Sequence, residues 1–153
     1  MYRPRNYVIA SGVGSDILQL VAFDKALSAS RIADYNLVKV SSILPPNCNE
    51  HVAVTEEKGS ILFTAYATTS SNDNGIIAAA VGVGIPENSD NIGVIMEYSC
   101  FDSKDVAVNQ VEEMVRKSMQ SRGIRIKEIK TASAEATVTS GIYSVVVAAL
   151  AMW

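Results

Sequence analysis

The chain has 153 residues, 13 basic against 16 acidic, and a formal net charge of −3. No basic cluster of the kind a phosphate backbone requires is present, which argues against a nucleic-acid partner. Nearly half the residues are apolar (48%) and only 19% are charged, with no low-complexity linker or internal repeat. A disordered chain is excluded, and the length suits a single domain over residues 1–153.

Residues 7–10 predict a short strand, ended by the turn-like run Ser11-Gly12-Val13-Gly14. Ser15 and Asp16 then read as caps of a first helix carrying Ile17, Leu20, Val21 and Leu27 at near-helical spacing. A strand is expected over 35–43, stopped by Pro45-Pro46, because proline has no N–H for a ladder. Residues 60–69 and 76–85 read as strands around Asn72-Asp73-Asn74-Gly75, and this pairing predicts an antiparallel hairpin.

A third strand in this region covers 91–98. The clearest helix runs over 103–121, with Val108, Val111, Val115 and Met119 on one face and Gly123 as its stop. Residues 124–136 and 141–151 read as two closing strands joined by a short turn. The pattern is α+β: a mostly antiparallel sheet core with two helices on its faces. The close glycine pairs Gly12/Gly14 and Gly82/Gly84 continue into no dinucleotide fingerprint and read as packing or turn glycines.

No signal sequence precedes the first strand, and no apolar stretch reaches the ~20 residues of a spanning helix. These absences predict a cytoplasmic protein with no membrane partner. Two cysteines, Cys48 and Cys100, leave one bridge open but make no disulfide scaffold. The single histidine, His51, reads as an exposed loop residue. With Cys48 three residues before it and Cys100 far off, it matches no standard metal site, so no metal is expected.

One segment stands apart: Asn36-Leu37-Val38-Lys39-Val40-Ser41-Ser42-Ile43-Leu44-Pro45-Pro46. A serine pair closing an apolar strand just before a double proline resembles the processing site of the pyruvoyl-dependent arginine decarboxylases. Two further stretches agree, in order. Ala22-Phe23-Asp24, continued by Ala26-Leu27, is similar to the family's upstream helix, and Gly93-Val94-Ile95-Met96-Glu97-Tyr98 resembles its glutamate-bearing strand. The likeness runs from about Val8 to Trp153. It departs at Arg31-Ile32-Ala33-Asp34-Tyr35, where many members carry a glycine, and at the shorter, less acidic stretch 12–17.

The resemblance implies a four-layer αββα sandwich assembling as a homo-oligomer, a trimer or a hexamer, with sites between subunits. It implies self-cleavage between Ser41 and Ser42 into a β chain, 1–41, and an α chain, 42–153, with a covalent pyruvoyl group derived from Ser42 in place of pyridoxal phosphate (no PLP). Asn36 is implied as the oxyanion donor during cleavage. Glu97 is the implied proton donor after decarboxylation, and Asp24 the carboxylate that binds the substrate guanidinium. The activity implied is Schiff-base formation with L-arginine and release of CO2 and agmatine, an entry to polyamine synthesis. The altered turn at 31–35 keeps another amino-acid substrate open, and an unprocessed, non-catalytic oligomeric binding protein of the same fold is the alternative outside the enzymes.

Overall fold

The computed structural model describes residues 1–153 as nine strands and two helices. In chain order these are β1 (Asn6–Asp16), α1 (Gln19–Ala29), β2 (Asn36–Lys39), β3 (Ile43–Leu44), β4 (Asn49–Glu50) and β5 (Ile61–Ser71). There follow β6 (Gly75–Pro86), β7 (Gly93–Cys100), α2 (Lys104–Ser121), β8 (Ile126–Val138) and β9 (Tyr143–Met152).

The apolar runs in β9 and β6 dictate the layering. From Ser144 to Met152 every residue of β9 is buried, and so are residues 77–84 of β6. Successive strand side chains point to opposite faces, so each of these strands needs cover on both. The fold supplies it with two stacked sheets. One has the order β2-β5-β9-β1-β4, the other β3-β7-β6-β8.

The inner faces meet in the largest apolar cluster, around Ala65, Ile77, Val81, Ile95, Val146 and Leu150. Outside the first sheet, α1 buries Ala22 and Ala26 against Val145, Val147 and Ala149. Outside the second, α2 buries Ala107, Val111, Val115 and Met119. The expected four-layer αββα sandwich is thereby formed. Its ladders are antiparallel except for β1 with β4 and β2 with β5.

The hairpin expected around residues 72–75 does not form. The two flanking strands lie in different sheets: β5 pairs with β2 and β9, while β6 pairs with β7 and β8. The turn is an arch between layers, and the turn at 139–142 carries β8 over to β9 in the same way. A hairpin with one wet face would have left half of each apolar run in water.

A second correction concerns β1, which runs straight through Gly12-Val13-Gly14 to Asp16 instead of turning there. A Cβ at Gly12 would collide with the Ala26 carbonyl and Ser30, and one at Gly14 with the backbone of Ala22 and Ala26. These glycines let α1 lie almost on the strand, as Gly82 and Gly84 do for Val111, Val115 and Met119 of α2. The helix cap moves with the strand end. Leu18, not Ser15 or Asp16, is the N-cap of α1, and the Asp16 carboxylate accepts from the Leu18 N–H at 3.0 Å and pairs with Lys25 at 2.7 Å.

The expected strand over 35–43 is broken in two. β2 belongs to the edge of one sheet and β3 to the edge of the other. At the opposite side of the sandwich Glu50 on β4 pairs with Lys130 on β8. Helix α1 ends at Ser30, followed by Arg31 in the left-handed region at φ 60°, where glycine is the usual occupant.

Gly14→Ala should therefore destabilise the protein by about 2–3 kcal/mol through backbone overlap. Arg31→Gly should stabilise it by roughly 0.5–1 kcal/mol by relieving the left-handed turn. Urea midpoints at one fixed protein concentration check both, and a neutral Gly14→Ala would show that α1 can shift off the strand.

Candidate active site

The gap between β2 and β3 is where the chain changes sheets. Val40 still donates its N–H to the Thr64 carbonyl of β5 at 3.2 Å, while the Ser42 carbonyl already accepts from the Ile95 N–H of β7 at 2.9 Å. The crossing is thus held at both ends, and the Ser41–Ser42 peptide bond lies within it. Ser42 adopts φ 71°. For a serine this left-handed conformation costs of order 1–3 kcal/mol, sustained here by the anchors on either side.

Alternation along β7 sends Glu97 to the same inner face as Ile95, which belongs to the inter-sheet core. From there it meets Ser42: the hydroxyl donates to Glu97 Oε2 at 3.0 Å, with Oε1 at 3.4 Å. Both residues are half-buried. A serine hydroxyl bonded to a carboxylate, next to a peptide bond held at a strained bend, has the parts for acyl transfer from nitrogen to oxygen. A carboxylate at this distance is able to accept the hydroxyl's proton.

On the side of Ser42 toward the chain's N-terminal arm (residues 1–5) lies a cavity of about 220 Å³. Its walls include Tyr2, Pro4, Val40, Phe63 and Met152 beside Ser41 and Ser42. Nothing in the local sequence pattern singles out Tyr2 or Phe63 as neighbours of the serine pair, since they come from distant segments.

Two other residues singled out in the sequence are not brought to Ser42 within one chain. Asn36 opens β2, and its side-chain amide donates to the Gly59 carbonyl at 2.7 Å. Four residue steps of extended chain separate it from Val40, roughly 13 Å of strand. Asp24 lies exposed on α1, outside the first sheet, and its neighbour Lys25 pairs with Asp16 instead. Lys39, beside the bend, places its ammonium 4.9 Å from the centre of the Tyr66 ring, an aromatic of the α1-side cluster.

The remaining reactive groups have structural partners. His51 is half-buried, not exposed as expected. Its Nε2 lies 2.9 Å from Asn6 Oδ1 and its ring packs 5.5 Å from that of Trp153. Cys48 and Cys100 are free thiols. Burial pushes the Cys48 thiol up to about 11 and raises Cys100 as well. No three His, Cys, Asp or Glu side chains are grouped to hold a metal ion, and no helix is long and apolar enough to cross a membrane.

Comparison with known proteins converges on one group. The family model for pyruvoyl-dependent arginine decarboxylase matches residues 6–153. A pyruvoyl-dependent arginine decarboxylase of Methanococcus vannielii is 35% identical over 151 residues, 98% of this chain and 91% of the relative. Those of Pyrococcus abyssi (36%) and Thermococcus kodakarensis (38%) align over 88% of this chain and 87% of their own length. The chain thus falls in a class of pyruvoyl-dependent amino-acid decarboxylases. The chain belongs to the pyruvoyl-dependent arginine decarboxylase family.

With its thiol at about 11, Cys48 should react with iodoacetamide at pH 8 roughly 100-fold more slowly than an ordinary thiol of pKa near 9, since only the thiolate attacks. The rate should climb about tenfold per pH unit until pH 11. Fast labelling of the folded protein at pH 8 would show that the pocket around Cys48 opens.

Proposed function

We propose that the protein is an arginine decarboxylase that generates its own pyruvoyl group by cutting the chain between Ser41 and Ser42. The observation that carries the reading is the Ser42 bend, with φ 71° and its hydroxyl on Glu97 Oε2 at 3.0 Å. Ser42 Oγ attacks the Ser41 carbonyl carbon as its proton passes to Glu97; the tetrahedral adduct then collapses with rupture of the Ser41 C–Ser42 N bond, the nitrogen taking that proton from Glu97, and the amide becomes an ester with a free amine at 42. A base, for which the regenerated Glu97 carboxylate is at hand, then takes the Ser42 Cα proton as the Cβ–Oγ bond breaks, freeing Ser41 as a carboxylate and leaving dehydroalanine at 42. Water replaces its nitrogen, which departs as ammonia. Both ends stay anchored, because Val40 bonds β5 and residue 42 bonds β7.

The pyruvoyl carbonyl supplies the electron sink for loss of CO2 from a bound amino acid. Glu97, on the inner face beside position 42, then delivers a proton from its carboxyl to the carbon that has lost CO2. Asp24 accepts two guanidinium N–H groups side by side, the fork a carboxylate matches best.

Asp24 and Asn36 complete the site from a neighbouring copy in a trimer or hexamer. Support comes from their exposure, from the edge position of β2, and from the apolar surface around the start of α1, where Leu20 is 78% exposed and Ile17, just before the helix, 72%. In that assembly Asn36 donates to the oxyanion that develops on the Ser41 carbonyl oxygen.

A second reading, another amino acid as substrate, rests on the turn at 31–35. It carries Arg31 in the left-handed region and Asp34 paired with Lys58 at 2.7 Å. Turnover of arginine, lysine, ornithine, histidine and aspartate by the processed protein separates the two.

Denaturing mass spectrometry should resolve the 16.4 kDa chain into pieces of roughly 4.4 and 12 kDa, apportioned by residue number, with the larger one blocked at its N-terminus. Ser42→Ala should abolish both cleavage and decarboxylation, and activity surviving in that variant would overturn the pyruvoyl mechanism. Asp24→Ala should leave cleavage intact and raise KM for arginine about 10- to 100-fold with little change in kcat. A failure to cleave would instead make Asp24 structural.

A further inference from the structure

The register of β3 on β7 pairs Ile43 with Val94 and Leu44 with Gly93, so one step beyond the end of β3 sets Ser42 opposite Ile95. A hydrogen-bonded antiparallel pair ordinarily exchanges two bonds. Here only one is made. The Ile95 N–H donates to the Ser42 carbonyl at 2.9 Å, while the Ser42 N–H meets no backbone carbonyl. The turn to φ 71° at Ser42 takes its nitrogen off the ladder and leaves its carbonyl on it.

The donor is fixed from the other side as well, because Ile95 pairs with Val83 of β6. Ile95 and Val94 are fully buried. An amide held in this way needs no reorganisation when charge develops on its acceptor, and in a buried setting its bond is stronger than in water.

Resting on the self-processing reading above, the Ser42 carbonyl oxygen is where charge gathers during elimination. The Cα that loses its proton is bonded to that carbonyl. The electron pair of the C–H bond passes onto the carbonyl oxygen as an enolate. It returns to form the Cα–Cβ double bond as Cβ–Oγ breaks and Ser41 departs as a carboxylate. In the preceding acyl shift the charge falls on the Ser41 carbonyl oxygen, which the Ile95 N–H does not touch. Two positions of one strand thus face residue 42, Glu97 at its hydroxyl and Ile95 at its carbonyl.

We infer that the Ile95 N–H is a catalytic group of self-processing: it stabilises the negative charge on the Ser42 carbonyl oxygen while the Cα proton is removed, and so promotes elimination and not the acyl shift before it. The amide between residues 42 and 43 is broken in no step, so the same donor stays on that oxygen in the processed protein.

Replacing Ile95 by its α-hydroxy acid, introduced by nonsense suppression, puts an ester oxygen where the N–H stood and keeps the side chain. The same exchange at Gly93, which pairs with Leu44, weakens the β3–β7 ladder without touching the Ser42 carbonyl. Intact mass spectrometry follows the pyruvoyl-started α chain. Hydroxylamine under denaturing conditions releases a serine-started α chain from any molecule halted at the Ser41–Ser42 ester, a product distinct in mass from those of the inserted ester. The exchange at Ile95 should slow pyruvoyl formation about 100-fold and let the halted ester accumulate, and the exchange at Gly93 should stay within about threefold of wild type. Wild-type speed with the exchange at Ile95 overturns this inference alone. Equal slowing at Gly93 also overturns it, by assigning the effect to the ladder, and slowing without accumulated ester does so by moving it to the acyl shift. A further measurement needs no variant to fold: in the processed wild-type protein the Ile95 amide should exchange its hydrogen at least about 100-fold more slowly than a free amide, and free exchange there overturns the inference. A wild-type chain that stays uncut overturns both the inference and the reading beneath it.

Discussion

Between Val40 and Ser42 the chain leaves the edge of one sheet and joins the edge of the other, and the site is arranged around that crossing. Stacked sheets stand about 10 Å apart, whereas paired strands within a sheet stand under 5 Å apart. A crossing this short, bonded to β5 before it and to β7 after it, leaves little conformational freedom in between. Ser42 absorbs the mismatch by entering the left-handed region, and its hydroxyl is thereby aimed at Glu97. The layers exist because β6 and β9 must be covered on both faces, so the core that stabilises the fold also maintains the bend.

How much of this was readable from the residues depends on which physical signal carried it. The amphipathic period of α2 and the Gly123 stop are local, and the structure reproduces them: Gly123 has φ 65°, and Ser103, expected as the first helical residue, caps the helix through its Oγ, which accepts from the Val106 N–H. The arch at 72–75 was misread as a hairpin because Asn-Asp-Asn-Gly turns a chain equally well within a sheet or between two. The apolar runs beside it called for cover on both faces without naming what provides it. Gly12 and Gly14 looked like a turn because their cause, the backbone of α1, lies elsewhere in the sequence. At the site, Ser42 and Glu97 were legible only through resemblance. No propensity foretells a serine at positive φ, and none reveals that Asn36 binds the Gly59 carbonyl or that His51 is half-buried against Trp153.

The unequal placement of the four site residues has its own logic. Ser42 immediately precedes the edge strand β3, and Glu97 lies on β7, which pairs with β3 and holds the two side by side. Asp24 and Asn36 lie outside that sheet, one on an exposed helix face and one on the free edge of β2. The fold thus half-buries Ser42 and Glu97 against each other and leaves Asp24 and Asn36 on its surface. Substitutions at the two surface residues can therefore accumulate without disturbing the Ser42–Glu97 contact, and the turn at 31–35 lies on the surface side, between α1 and β2.

The position of β1 has a consequence for the life of the protein after a cut at 41–42. The shorter piece would contain β1, α1 and β2, and β1 lies inside its sheet between β9 and β4, with a ten-residue ladder to β9. Such a piece cannot leave without dismantling the sheet, so a nicked molecule persists as long as it never fully unfolds. Once unfolded, however, the two pieces must find each other by diffusion, with no linker to supply a high local concentration. The uncut chain folds as one body, whereas the nicked one would reassemble only as fast as its dilution allows. Its durability would then rest on its unfolding rate, a kinetic rather than an equilibrium property.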